Sequence, residues 1–157
     1  MFEAGTSARK VAEHLGERGL AAIKSYRDLR AWQAAMDLLL EVYKLTRSFP
    51  PDERFGLRAQ VRRAVVGVAS NIAEGHGRSS KADFLRFLDM ALGSLNETET
   101  QLIAAEKLGY LEHDHVCRAY DLGDRVRGLT KGLVASLRRN RQIGVGSNCP
   151  QQTSPNS

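Results

Sequence analysis

The sequence predicts an all-α fold, an antiparallel up-and-down four-helix bundle. Three observations lead there. Apolar residues recur at spacings of three and four along four long stretches. Residues that stop helices follow each stretch: Pro50-Pro51, Gly75-His76-Gly77, Gly109 and the polar run from Gln142 onward. The connections are short, so helices adjacent in sequence must lie antiparallel. The run from Ser70 to Arg78 states this grammar most fully. It ends one apolar helix, supplies a turn and leads into the next.

Residues 1–26 come first. Val11, Leu15 and Leu20–Ile23 have amphipathic spacing, but Gly16 and Gly19 each weaken a helix by about 1 kcal/mol against alanine. Residues 1–24 are expected to form a flexible arm. The first helix is expected to start near Asp28 as N-cap and to end at Pro50-Pro51. Its stripe is Leu29, Trp32, Met36, Leu39 and Tyr43, widened by Leu38, Val42 and Leu45. A bundle buries one face per helix, so the second stripe suggests a contact between subunits.

The second helix is expected over residues 52–74, with Leu57, Val61, Ala64, Val65, Val68 and Ile72 inward. Its β-branched residues would suit a strand, but the helical period and the length decide for a helix. Gly75 sits where a left-handed C-terminal cap belongs. The third helix is expected over residues 80–108, capped by Ser79 or Ser80 with Asp83 in its first turn, and stopped by Gly109. Phe84, Leu88, Ala91, Leu92, Leu95, Leu102 and Ala105 or Ile103 form its stripe. The fourth is expected over residues 113–139, with Leu122, Val126, Leu129, Leu133 and Leu137 in a near-heptad pattern. Gly123, Gly128 and Gly132 make it depend on packing. The bundle domain thus spans residues 25–141, and residues 142–157 read as a disordered tail. Antiparallel pairing of the second and third helices places Gly67 opposite Gly93. It also brings Arg62 and Arg63 near Asn96, Glu97 and Glu99, which predicts salt bridges there.

The chain length gives one domain with room for a full core. Cys117 and Cys149 make no disulfide framework and fit a reducing compartment. The N-terminus lacks the charged start and apolar run of a secretory signal, and no apolar stretch reaches the roughly 18 residues of a spanning helix. A soluble cytoplasmic protein is expected, without a membrane partner.

The net charge of +5 permits an anionic partner without requiring one. Folding the helices up and down concentrates that excess at one end, through Lys24, Arg27, Arg30, Arg78, Lys81, Arg138, Arg139 and Arg141 against Asp28, Glu74 and Asp83. Arg27, Arg30, Arg78, Lys81, Arg138 and Arg139 are the candidate nucleic-acid contacts, since clustered cations neutralise phosphate without reading sequence. The plainer reading is that basic residues near helix C-termini complement the dipole. Tyr26 is the one stacking candidate at this end. The segment from Glu97 to Asp124 is acidic instead and offers a surface for a protein partner.

No motif demands catalysis, a metal or a cofactor. His113-x-His115-x-Cys117 has ligand residue types, but a structural zinc needs four ligands and the run reads more plainly as a helix start. Glu74 and His76 form a pair without nucleophile, oxyanion site or pocket. Glu97 and Glu99 lack the Glu-x-x-His partners of a di-metal carboxylate site. Asn71 lies beside the core, where a polar residue can fix register.

Several segments together resemble the 23S rRNA intervening-sequence protein family, bacterial four-helix-bundle proteins. They are residues 25–33 (SYRDLRAWQ), 49–57 (FPPDERFGL), 60–64 (QVRRA), 70–78 (SNIAEGHGR), 84–88 (FLRFL) and 93–102 (GSLNETETQL). The likeness covers residues 25–140. His76 departs from it where the family often has an aromatic, and Asn96 departs in the Gly-Ser-Leu…Glu run. The resemblance implies a homopentamer with a central channel and no enzymatic activity. The family is similar to the accessory variability determinant of diversity-generating retroelements, which works with a reverse transcriptase and binds nucleic acid. Two readings follow. One is an oligomeric, non-enzymatic bundle that binds structured RNA or DNA through its basic end. The other is a scaffold that docks a partner protein.

Overall fold

Helical periodicity and helix-stopping residues produce four α-helices: α1 (Arg30–Leu45), α2 (Leu57–His76), α3 (Lys81–Lys107) and α4 (His113–Arg139). They pack antiparallel, α1 against α2 and α4, and α3 against α2 and α4. The computed structural model describes residues 23–139. Most of the expected arm, the whole expected tail and Arg141 lie outside the described residues. No helix among the described residues is long and apolar enough to cross a membrane.

The boundaries of α3 and α4 fall within a residue of expectation, whereas those of α1 and α2 need correction. Asp28 does not cap α1. Its carboxylate turns back to accept the amides of Lys24 (3.2 Å) and Ser25 (3.0 Å), closing a capping box on a 3-10 turn, Tyr26–Asp28. The α1 helix starts behind the buried, extended Leu29. It ends at Leu45, well before Pro50-Pro51. There the hydroxyls of Thr46 and Ser48 donate to the carbonyls of Tyr43 (3.2 Å) and Leu45 (2.9 Å) and draw Thr46–Ser48 into a 3-10 turn. Pro51 then begins a separate 3-10 turn, Pro51–Arg54, so α2 starts only after Phe55-Gly56. Glu53 satisfies its first amide, accepting from Leu57 at 2.7 Å.

Gly75 is not a left-handed cap. It is a buried residue inside α2, and the helix runs on to a right-handed Gly77. A Cβ on Gly75 would stand 2.7 Å from Phe87 Cβ and 2.9 Å from Phe84 Cδ2. The glycine is there to let α3 approach. The left-handed cap is Gly109, where the third helix is expected to stop. At φ 75° it ends α3 in a Schellman arrangement, with Tyr110 donating to Ala105 (2.9 Å) and Gly109 to Glu106 (3.0 Å).

The core inherits most of the expected stripes, with two rotations. In α1 the buried face is Ala31, Ala34, Ala35, Leu38, Val42 and Leu45, of which only Leu38, Val42 and Leu45 were expected, as a widening of the stripe. Trp32, Met36 and Leu39 are half-buried and Tyr43 is exposed, because three alanines let the neighbouring helices sit close on the other side. In α4 the buried line is Val116, Ala119, Gly123, Val126, Thr130 and Val134, and the near-heptad leucines flank it half-buried. The α2 and α3 stripes are buried as expected, with Ala105 rather than Ile103 turned inward and Leu57, Phe84 and Leu92 half-buried.

The seam between α2 and α3 keeps its expected register to within a turn, but the two glycines do not meet. Gly67 faces Ser94, whose Oγ lies 3.0 Å from the position of a Cβ, while Gly93 is exposed with open space beside it. Asn71 donates across the same seam to Ser94 Oγ at 3.4 Å, which ties register to a polar pair. The predicted salt bridges from Arg62 and Arg63 to Glu97 and Glu99 are absent. Arg62 turns to α1, donating to Thr46 Oγ1 at 2.8 Å and lying 4.6 Å over the Tyr43 ring. Glu99 pairs with Arg127 of α4 instead, and Arg127 also donates to Asn96 at 2.8 Å. In α4, Gly123 faces Glu99 and Leu95, whereas Gly128 and Gly132 border open space.

These spaces set opposite signs for the same substitution. Gly75→Ala is expected to destabilise by about 1–3 kcal/mol through overpacking against Phe84 and Phe87. Gly128→Ala and Gly132→Ala, exposed and unobstructed, are each expected to stabilise by about 0.5–1 kcal/mol. Urea denaturation of the three variants measures both signs.

Candidate nucleic-acid interface

Antiparallel packing sends the start of α1, the α2–α3 turn and the end of α4 to one end of the bundle. The six candidate residues are therefore brought to that end, and each is anchored differently. Arg27 rides on the capped 3-10 turn. Gln33 Nε2 donates to its carbonyl at 2.9 Å, and its guanidinium lies 5.7 Å over the Tyr26 ring. Arg30 opens α1 and is exposed. Arg78 follows α2, pairs with Glu74 and lies 4.7 Å over the Phe87 ring. Lys81 opens α3 behind Ser80, whose hydroxyl accepts from the Asp83 amide at 3.0 Å. Arg138 and Arg139 end α4, both exposed, where they complement the helix dipole. Among the described residues no ion pair forms on Arg27, Arg30, Lys81, Arg138 or Arg139.

The carboxylates at this end are occupied. Asp28 is spent on the capping box, Glu74 on Arg78, and Asp83 on Ser80 and on Arg86 at 3.6 Å. Arg86 is a residue that the sequence reading missed. It sits 5.4 Å over Phe87, facing the ring that Arg78 also covers. Its signal was the spacing of three from Asp83, one turn into α3. Tyr26 is not a free stacking surface. It is half-buried, edge-on to Trp32 at 5.3 Å and covered by Arg27. His76 meets Phe84 edge-on at 6.0 Å, so it takes the packing place of an aromatic side chain.

In the acidic segment Glu99 and Glu106 are knitted into the fold, while Glu97, Glu112, Asp114, Asp121 and Asp124 are exposed. Glu106 accepts from Tyr120 at 3.0 Å and bonds His113 Nδ1 at 2.7 Å, joining the end of α3 to the start of α4. His113 then Tyr120, by hydrogen bonding, hold the Glu106 carboxyl below its usual range. Burial, then the bond and charge of Glu106, push the Tyr120 hydroxyl up to about 12. Among the described residues no three His, Cys, Asp or Glu side chains converge as metal ligands. Two open clefts lie along α1 and α4. One of about 400 Å³ borders the α3–α4 turn, and one of about 360 Å³ is lined by Leu40, Arg118, Leu122 and Arg125. Neither reaches the basic end.

Comparison with known proteins supports the sequence resemblance. The description of the 23S rRNA-intervening sequence protein family matches residues 27–132. None of the curated proteins compared with the chain matches it. A crystal structure of a protein of unknown function from the S23 ribosomal protein family of Bacteroides thetaiotaomicron VPI-5482 is similar to it. The two are 21% identical with a TM-score of 0.55, over 69% of this chain and 98% of that one. At that identity the likeness is one of fold.

The Glu106 network generates a pH signature. The folded state raises the Tyr120 pKa from 10 to about 12, so its stabilisation is complete below pH 10 and is lost as pH climbs towards 12. Glu106 acts oppositely, stabilising above the ordinary carboxylate range and losing that as pH falls through its depressed value. Tyr120→Phe is expected to cost about 1 kcal/mol at neutral pH and to flatten the alkaline loss. Denaturation midpoints across a pH series measure both effects.

Proposed function

We propose that this chain, which belongs to the 23S rRNA-intervening sequence protein family, is a non-enzymatic, cytoplasmic, homo-oligomeric bundle that binds structured RNA or DNA through its basic end. The observation that carries the reading is the charge balance there. Among the described residues it sets Lys24, Arg27, Arg30, Arg78, Lys81, Arg138 and Arg139 against three carboxylates that are already bonded within the chain. An end with unspent guanidinium and ammonium groups releases counterions when it meets a phosphate backbone. The contacts are to phosphate rather than to bases, since the nearby aromatic rings of Tyr26, Phe84 and Phe87 are engaged in packing.

The oligomer we assign is a homopentamer, from the family resemblance. The side of α1 turned away from the core supports a subunit contact, though not its order. Trp32, Met36 and Leu39 are half-buried, Tyr43 is exposed and Val66 of α2 is 37% exposed. The non-enzymatic part of the reading rests on the fate of its candidate dyad. Glu74 holds Arg78, and His76 packs on Phe84. Exposed Leu40 and Ile103, 64% and 44% accessible, favour a second reading in which the oligomer docks a partner protein.

Binding of a hairpin RNA and a DNA duplex across a salt series separates the two readings. The first predicts affinity that falls steeply with salt, and a slope that shrinks by about 1 for each phosphate contact removed in Arg78→Glu or Arg138→Glu. An unchanged slope in both variants, or no binding at low salt, overturns it in favour of a protein partner. Light scattering on the same samples gives the oligomer mass.

A further inference from the structure

Phe55 is 85% exposed, the largest exposure of any bulky apolar side chain among the described residues. It is also held in place. Two residues earlier, Glu53 accepts from the Leu57 amide at 2.7 Å and from the Tyr110 hydroxyl at 3.1 Å, pinning the turn to the α3–α4 connection. The Arg54 guanidinium lies 5.3 Å over the Phe55 ring. Beside this turn lies the cleft of about 400 Å³, with Leu45, Leu111 and Tyr110 as apolar lining and Glu41, Lys44, Glu112 and His115 as its charged residues. Tyr110 itself packs on Phe49 at 5.7 Å. A fixed aromatic knob and an aromatic-lined cleft thus share one end of the molecule, opposite the basic end.

We infer that this end is a twofold contact between two copies of the chain, in which Phe55 of each copy enters the cleft of the other. A twofold interface uses the same patch on both partners, and this patch holds both halves of the fit. The cleft is large enough, since a cavity of ~150 Å³ accepts a benzene ring. Tyr110 offers the entering ring an edge or face, and Leu45 and Leu111 offer it apolar contact. Arg54 travels with Phe55 and meets the exposed Glu112, whereas Glu41 is already held by Arg118 at 3.4 Å. The same acids, with Asp52, Glu53 and Asp114 close by in the chain, oppose a nucleic-acid occupant. The contact is separate from the α1–α2 side and from the basic end, so it stands or falls independently of the function proposed above.

The test is the solution mass of the full chain by sedimentation equilibrium, for wild type, Phe55→Ala, the cleft-filling Ser48→Trp, and Arg54→Glu alone and with Glu112→Arg. Phe55→Ala and Ser48→Trp are each expected to halve the wild-type mass with unchanged helix content. The double charge swap is expected to restore part of what Arg54→Glu loses. Halving is a ratio, so it is diagnostic whether one chain or a ring sits on each side of the contact. An unchanged mass in Phe55→Ala overturns the inference, as does a mass that falls in Phe55→Ala but not in a folded Ser48→Trp.

Discussion

The close approach of α2 to α3 at Gly75 is the constraint on which the rest of the bundle depends. A hydrogen in place of a methyl lets Phe84 and Phe87 lie against the α2 backbone. That contact sets the spacing of the seam, which Gly67 and Ser94 continue and Asn71 registers. With the seam fixed, Val61, Val65, Val68 and Ile72 face Leu88, Ala91, Leu95 and Leu102, all nearly inaccessible. Each of those larger side chains contributes about 1.5–3 kcal/mol by leaving water. The same contact also decides the electrostatics of the turn. Phe87 becomes a platform beneath two guanidinium groups, Arg78 and Arg86, at the end where positive charge collects.

The arginines divide into two groups with different work. Arg58, Arg62 and Arg127 are fasteners. They reach the Phe49 carbonyl, Thr46 and the Tyr43 ring, and Asn96 with Glu99, and so tie α2 to the connection after α1 and α4 to α3. Such charge-assisted bonds are directional, so they hold turns in place where the apolar core ends. Arg30, Arg138 and Arg139 bond to nothing in this way among the described residues. These face water, and Arg138 and Arg139 complement the dipole at the end of α4.

Much of this fold was legible in the sequence, and the failures have common causes. The α3 and α4 boundaries could be read because Ser80, Gly109 and Asp114 act locally, within one turn of the ends they specify. The α1 and α2 boundaries could not, since they turn on Thr46 and Ser48 bonding to backbone, on Glu53 reaching Leu57, and on a Gly75 whose partner is in another helix. Periodicity located the stripes but not which of two adjacent stripes in α1 faces inward. That choice follows from Ala31, Ala34 and Ala35, whose small size shows only when neighbours are in place. The Arg62 error is of the same kind. Register along the seam was approximately right, but Arg62 had a nearer set of acceptors on α1. At the basic end the identity of the cations was readable from topology. Arg86 was signalled by its spacing from Asp83, whereas the engagement of Tyr26 depends on its packing against Trp32 and Arg27, which spacing does not reveal.

The buried line of α4 has a consequence for how the molecule opens. Its middle is Gly123 and Thr130, and the Thr130 hydroxyl has no hydrogen-bond partner. A hydrogen atom and an unmet hydroxyl in that buried line lower the cost of detaching α4, against the ties of Tyr120 to Glu106 and of Arg127 to Asn96 and Glu99. The α2–α3 hairpin, closed by one short turn, keeps its own seam when α4 leaves. Amide exchange would therefore run in two tiers, with α4 exchanging through partial opening and α2–α3 only through complete unfolding. Arg138 and Arg139 ride on the outer tier and Arg78 and Lys81 on the inner one. The positive end is thus half anchored and half adjustable, a hand with a fixed palm and a movable thumb.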